Sequence, residues 1–300
     1  MKTKGIILNK GDIINDTYDV QFFIGAGAFG EVYRVNHKYL GLQVMKVFKK
    51  DYVDNSDLKT ITKEAIILSK LTHPNIVRVF ETNTFVKKDQ RFYFITMGFI
   101  SGEPLSNLLK RKIQLPLNTA LTIQKDFLTG LAVVHNQTPP MIHRDISPDN
   151  ILLSYDQQPH RAMLSDFGLA QSLDQISQIS DAAGKYLYFA PECFWNVYLP
   201  ASDVFSAGLV FYRMLTGSFP WDYDFEATPD DPEGMTTMVL SARKKPPKRP
   251  SFYNDECNED IEALVFKSLS KEIETRYKNA EEFLKALVAY NKDDIQTQSF

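Results

Sequence analysis

The sequence predicts an α+β chain in two lobes, a small antiparallel-sheet lobe with one helix followed by a mainly helical lobe. Three observations carry this. From Tyr18 to about Met97, short β-branched and aromatic runs alternate with glycines and polar turns. After Gly102 the apolar period becomes helical. The 300 residues, 44% hydrophobic and 24% charged, have the composition of an ordinary globular chain, which excludes a disordered or collagen-like one.

In order, residues 18–24, 31–35 and 42–48 read as strands. Asn55, Ser56 and Asp57 offer N-caps for a helix with Ile61, Ala65 and Leu68 on its apolar face. Residues 76–86 and 91–97 read as a hairpin with a polar loop at 87–90. Residues 119–135 form an amphipathic helix, and 204–215 are apolar nearly all round, which predicts a helix buried on every side. Residues 261–269 and 280–290 close the domain, and 291–300 form a polar tail. The basic, proline-rich stretch 243–250 reads as a solvated loop between helices.

The net charge of −3 gives no basic excess, so nucleic acid is not an expected partner. Two cysteines, Cys193 and Cys257, cannot build a disulfide framework or a four-cysteine zinc site, and they suit a reducing compartment. No apolar run approaches the roughly 20 residues that span a bilayer. The apolar scrap near the N-terminus is shorter than the ~7–15 residues of a signal segment. A cytoplasmic chain without membrane insertion is expected, and nothing in the sequence sets its oligomeric state.

Five places carry chemistry. Gly25-Ala26-Gly27-Ala28-Phe29-Gly30-Glu31-Val32 lies between two strands, where glycines let backbone approach a phosphate. A strand follows it, not the helix of a dinucleotide-binding turn. Lys46 sits on the third strand, and Glu64 shares the helix face of Ile61 and Leu68, where a carboxylate is costly without a cation. Asp145 and Asn150 stand five residues apart in a segment that Pro148 keeps from being a helix, a pairing suited to a base and a hard-metal ligand. Ser165-Asp166-Phe167-Gly168 adds a second carboxylate beside a glycine, and Ala190-Pro191-Glu192 precedes Ser202-Asp203 at the head of the buried helix.

In this order and spacing the motifs resemble those of eukaryotic-type protein kinases, serine/threonine type, from about Tyr18 to Tyr290. The resemblance implies the bilobal protein kinase fold in one domain over 1–300, with an N-lobe at 18–97, a hinge at 98–102 and a C-lobe at 103–290. It implies transfer of the γ-phosphoryl group of ATP, with Mg²⁺, to a protein hydroxyl. Gly25, Ala26, Gly27 and Gly30 then match the loop over the phosphates. Lys46 matches the lysine on the α- and β-phosphates, and Glu64 the glutamate that orients it. Asp145 matches the base, and Asn150 and Asp166 the magnesium ligands. Val32, Val44 and Leu152 match the adenine slot, Met97 the gatekeeper, and Gly98 and Ile100 the backbone that bonds the adenine edge. Leu68, Val79, His143 and Phe167 match the apolar column of the active state. Glu192 matches the partner of Arg276, and Asp203 the aspartate that holds the catalytic loop, with a helix cap as its plainer reading. Ser172, Ser177 and Ser180 lie in the activation segment, opposite which Arg144 would bind a phosphate.

Two departures stand out. Ser147 occupies the place of the usual lysine two residues after the base, and Lys185 the place of the usual activation-segment threonine. Read together they are an exchange, in which Lys185 supplies the charge beside Asp145 while Ser147 bonds Asp145 or Lys185. This pairing is associated with some bacterial members of the family. Pro104 stands where basic-directed kinases carry an acidic residue, so selection for upstream arginine is not expected. Two other readings remain at this point, a pseudokinase scaffold that binds nucleotide and a small-molecule phosphotransferase of related fold.

Overall fold

Alternating buried and exposed residues build a six-stranded antiparallel sheet in the first part of the chain. The structure, a computed structural model, describes residues 6–27, 30–48, 65–156, 160–166, 183–226 and 231–297. It divides into two compact units, Met1–His73 with Val77–Ile100, and Pro74–Ile76 with Ser101–Phe300.

In the first unit the strands are β1 (Ile13–Ile14), β2 (Tyr18–Ala26), β3 (Gly30–His37), β4 (Gly41–Phe48), β5 (Val79–Lys87) and β6 (Gln90–Gly98), in the order β1-β2-β3-β4-β6-β5. Side chains alternate across a strand, so one face collects Tyr33, Val35, Met45, Val47 and Phe94 into a core with Leu8, Tyr18 and Val20. Residues 65–70 are helical; the capping residues 55–57, Ile61 and Glu64 lie outside the described residues.

The hairpin is tighter than expected. Lys87 pairs with Gln90, and only Lys88 and Asp89 turn, both in the left-handed region at φ 50° and 61°. Two left-handed residues match the twist of the flanking strands. Ile76 is not part of this hairpin; it bridges in parallel to Leu164 within the second unit.

The N-terminal segment is more than an apolar scrap. Leu8 is fully buried, its amide donates to the Tyr33 hydroxyl at 2.9 Å, and the Ile7 amide donates to Glu31 Oε2 at 2.7 Å. The Tyr33 hydroxyl itself donates to Glu31. Burial and the Glu31 carboxylate both push that phenol up, so it stays protonated as a donor. Lys87 Nζ closes the strap on Ile7 O at 2.9 Å and Asp12 Oδ2 at 2.6 Å.

The second unit opens with β7 (Gly102–Pro104), α1 (Leu105–Arg111) and α2 (Leu117–His135). β8 (Ile151–Ser154) and β9 (Arg161–Leu164) complete a small sheet of order β7-β8-β9 that the sequence did not announce. Then come α3 (Ala183–Tyr186), α4 (Pro200–Thr216), α5 (Pro232–Ala242), α6 (Glu259–Ser268) and α7 (Ala280–Thr297). Every residue of α4 except Pro200 and Arg213 is buried, as its all-round apolarity demands. Gly208 makes the packing possible, because a Cβ there would lie 2.1 Å from Ser268 Oγ on α6. The expected polar tail is largely helical, since α7 continues to Thr297. Among the described residues no helix is long and apolar enough to cross a membrane.

The basic stretch 243–250 is not simply solvated. Arg243 is 2% exposed, and the Trp221 indole donates to Lys245 O at 3.0 Å. The long-range partners that draw this segment inward are invisible in its local composition.

The strap generates a prediction. Leu8→Ala should lower stability by about 2–4 kcal/mol, the range for truncating a fully buried leucine. Denaturant unfolding of the two proteins checks it; an unchanged midpoint would mean that residues 6–12 add nothing to the sheet unit.

Candidate active site

In the sheet unit, the face opposite the core carries the expected nucleotide-facing residues. Val32 pairs with Lys46 across β3 and β4, and Val44 pairs with Met97 across β4 and β6. Lys46 and Val44 are two residues apart, so the register puts all four on one face. Gly98 ends β6, opposite Gln43, and Ile100 follows. The glycines divide into two kinds. Gly25 and Gly27 have nothing within 4 Å of where a Cβ would lie, which leaves space on that side, and the Gly27 amide donates to Gly30 O at 2.8 Å to close the hairpin. At Gly30 a Cβ would meet Val47 O at 2.5 Å, so this glycine is required by the close approach of β3 to β4. Glu64 falls outside the described residues, as do Phe167, Ser172, Ser177 and Ser180.

In the helical unit the site is built on a loop held from below. Asp203, 2% exposed, lies inside α4, with Leu199 and not itself at the N-cap. Its carboxylate accepts from the His143 amide at 2.6 Å and the Arg144 amide at 2.9 Å. His135 Nε2 lies 3.0 Å from the same carboxylate, and its Nδ1 accepts from the Ala280 amide at 3.1 Å. One ring nitrogen that accepts leaves the other to donate, so His135 presents Nε2–H to Asp203. Arg144 is left-handed at φ 67°, a conformation that costs roughly 1–3 kcal/mol in a non-glycine residue and persists where surroundings over-determine it.

His143 continues this logic. It is fully buried, its Nδ1 accepts from the Asp145 amide at 3.3 Å, and its Nε2 donates to Ser165 O at 3.0 Å. Burial holds its pKa down against the nearby carboxylates, so the ring is a neutral spacer between the loop and the residue before Asp166.

Asp145 is where the predicted residues converge. Asn150 Nδ2 donates to its backbone carbonyl at 2.7 Å and to its Oδ2 at 2.8 Å. Lys185 Nζ reaches the same Oδ2 at 2.7 Å, with its side chain 35% exposed against 7% for Asp145. The lysine expected to stand beside the base is therefore on it. Ser147 is buried, and its carbonyl accepts from the Asn150 amide at 3.1 Å; among the described residues its hydroxyl bonds neither Asp145 nor Lys185. That half of the exchange is not made.

The chemistry of the donor set fits a hard cation. Asn150 uses its amide nitrogen on Asp145, and among the described residues nothing donates to its amide oxygen. Ser165 bonds the Asn150 carbonyl through its amide at 2.9 Å and its hydroxyl at 3.2 Å, which brings the left-handed Asp166 alongside. An amide oxygen and a carboxylate with room for water are what Mg²⁺ accepts. Leu152, on β8 opposite Met163 and Pro104, is half-buried.

The segment that carries Lys185 is fixed by two arginines. Arg276 grips Glu192 at 2.7 and 3.3 Å, with side chains 0% and 10% exposed. Ser202 adds a hydroxyl to Glu192 at 2.7 Å. Arg243, unmarked by its local sequence, donates to Leu187 O at 2.7 Å and to Phe189 O, while its guanidinium lies 5.0 Å from the Phe205 ring and 5.4 Å from Trp221. An aromatic slot accommodates a desolvated guanidinium. No local signal reveals it, because its ring partners stand far off in sequence, Phe205 inside α4 and Trp221 just beyond that helix.

The loop at 143–150 and the carboxylate-bearing turn at 165–166 lie in one unit and the glycine-rich hairpin in the other, and comparison with known proteins identifies the family. The protein kinase domain family matches residues 18–288. The chain is 28% identical over 294 residues to a probable serine/threonine-protein kinase of Clostridium perfringens, covering 96% of this chain and 40% of that one. It is 26% identical over 298 residues to the serine/threonine-protein kinase PrkC of Bacillus subtilis, covering 97% and 43%. The crystal structure of the PknI kinase domain of Mycobacterium tuberculosis superposes with a TM-score of 0.69 at 21% identity, covering 94% of this chain and 99% of that one. The chain belongs to the protein kinase domain family and has its bilobal fold. It spans less than half the length of these curated relatives.

The Glu192–Arg276 pair yields a prediction. Burial pushes the Glu192 carboxyl up, but Arg276 and Ser202 more than offset this and hold it below its ordinary value of 4.5. A depressed carboxyl adds stability that is present above its unfolded value and lost as pH falls through the folded one. Glu192→Gln should therefore lower the melting temperature clearly at pH 7 and progressively less below about pH 4.5. Equal losses at pH 7 and pH 3.5 would show that charge at Glu192 does not matter.

Proposed function

We propose that this chain is an ATP- and Mg²⁺-dependent protein serine/threonine kinase. The observation that carries the reading is the buried Asp145 carboxylate, held by Asn150 at 2.8 Å and by Lys185 at 2.7 Å on a loop anchored through Asp203. Membership of the kinase family and the names of its relatives support the reaction class. The reading also takes the chain as one kinase domain.

Phosphoryl transfer is mostly positioning and charge neutralisation. In this reading Asp145 aligns a substrate serine or threonine hydroxyl and receives its proton, as the hydroxyl oxygen bonds the γ-phosphorus and the bond from phosphorus to the β-phosphate oxygen breaks, leaving ADP. Lys185 offsets the negative charge that gathers beside Asp145. Lys46 and the glycine-rich backbone at Gly25, Gly27 and Gly30 would hold the triphosphate, and Val32, Val44, Met97 and Leu152 the base. Asn150 and Asp166 would hold Mg²⁺, which supplies charge neutralisation when bound.

Asp166→Asn should leave less than about a tenth of the transfer rate at ordinary Mg²⁺, since loss of one key electrostatic group costs roughly 10²–10³. Radiolabelled ATP with a generic protein substrate reads this directly. A wild-type protein that binds ATP without transferring phosphate would sink the kinase reading.

Lys185→Ala should lower kcat by about 10²–10³. Ser147→Lys alone should be harmful, because two ammonium groups would crowd one carboxylate. Ser147→Lys with Lys185→Thr should regain much of the rate, because the charge then approaches Asp145 from the loop. A near-wild-type Lys185→Ala enzyme would remove Lys185 from the chemistry.

A further inference from the structure

Beside Asp145 lies a cavity of about 280 Å³ whose walls include Lys110, Ser147, Asp149, Lys185, Arg213 and Phe219. Lys185 joins it to the site, because the same side chain lines the cavity and bonds Asp145. The charges in it are lopsided. Lys185 is neutralised by Asp145, and Asp149 is the sole carboxylate among the lining residues, against Lys110 and Arg213. Neither Lys110 nor Arg213 has an ion pair among the described residues.

Arg213 is the more telling. It is the one residue of α4 after Pro200 that is not buried, and its guanidinium lies 4.6 Å from the centre of the Phe219 ring. Nη1 donates to the Tyr188 hydroxyl at 3.2 Å, while Nε is buried with no hydrogen-bond partner among the described residues. A guanidinium carries five donors in a fixed fork that matches carboxylate and phosphate. Here it is stacked, oriented and largely unbonded at the wall of an open cavity. Lys110, exposed at the end of α1, adds a second cation.

We propose that this cavity is a specificity pocket for an anionic side chain of the protein substrate, a carboxylate or a phosphorylated residue, with Arg213 as its principal ligand and Lys110 as its rim. The proposal rests on the kinase reading and deepens it by naming the substrate class. Because Lys185 connects the cavity to Asp145, the anionic residue falls within about two to four residues of the acceptor, at ~3.3 Å of extended chain per residue. Asp149 disfavours a second anion, so one charged position is selected and not an acidic run.

The test has two arms on the full chain. In the first, a peptide library with a fixed Ser or Thr acceptor carries Asp, Glu, phosphoserine, Ala or Arg at each flanking position. The wild type should favour anionic over Ala at one position by about three- to tenfold in kcat/KM, and Arg at that position should be the poorest substrate. Comparing Asp and Glu with phosphoserine separates the two sources of negative charge. Arg213→Glu should reverse the order, and Lys110→Glu, a change on an exposed residue that cannot unfold the core, should reduce the preference.

The second arm reads peptide binding by fluorescence anisotropy, which needs no catalysis. The anionic peptide should bind more tightly to wild type than to Arg213→Glu or Lys110→Glu. Transfer to peptides with no anionic preference at any position, or with selection for Arg, overturns the pocket but leaves the kinase reading intact. No transfer to any peptide overturns the kinase reading, and the binding arm then decides the pocket: equal binding of anionic and Arg peptides overturns it.

Discussion

One buried carboxylate organises the helical unit. Asp203 sits within α4, where an ionised group costs several kcal/mol unless its oxygens are satisfied. Three N–H donors satisfy it, two of them the consecutive amides of His143 and Arg144. Consecutive amides reach one carboxylate only if the chain turns sharply, and Arg144 takes the left-handed conformation that provides the turn. The third donor, His135, ends α2 and is tied by its other nitrogen to the first residue of α7. Three helices and the loop therefore share one electrostatic anchor, and Asp145 projects from a backbone that has little freedom to move.

His143 passes this order onward. Its amide is held by Asp203, and its neutral ring spans from the Asp145 amide to the Ser165 carbonyl. Ser165 then bonds Asn150, which bonds Asp145. The circuit closes on itself through backbone groups, so each polar side chain has its orientation set by the next. A site that must hold a carboxylate, an amide and a second carboxylate within a small space gains from such a frame, because its side chains are placed before any ligand arrives.

What the sequence made legible depended on range. The buried helix α4 was visible because its apolarity is local and continuous, and the loop at 143–150 because its motif is contiguous. Residues 6–12 were not, since their partners Glu31, Tyr33 and Lys87 stand 24 to 80 positions away. β7, β8 and β9 have only three or four residues each, too few to display a period. Three glycines in one motif looked alike, yet Gly30 answers to a neighbouring strand and Gly25 and Gly27 to open space. Arg243 was hidden in a basic run, where charge composition suggests solvent and only the tertiary arrangement reveals two backbone carbonyls and an aromatic slot.

Arg243 and Lys185 together change the meaning of the departures at 147 and 185. The Lys185–Asp145 contact joins a lysine 35% exposed to a carboxylate 7% exposed, so desolvation offsets much of its attraction and it is poorly explained as a device for holding the fold together. Its consequence is local charge. A lysine at position 147 would belong to the loop that Asp203 anchors, and its ammonium would be present whatever the following segment did. Lys185 instead belongs to a segment whose next residues are held by Arg243 through the carbonyls of 187 and 189, and farther on by Arg276 through Glu192. The cation beside Asp145 therefore depends on the docking of that segment, and the clamp that docks it begins at the end of α5, remote in sequence from the chemistry. Moving one charge from the rigid loop to the docked segment converts a fixed property of the site into one that the arrangement of residues 183–192 controls.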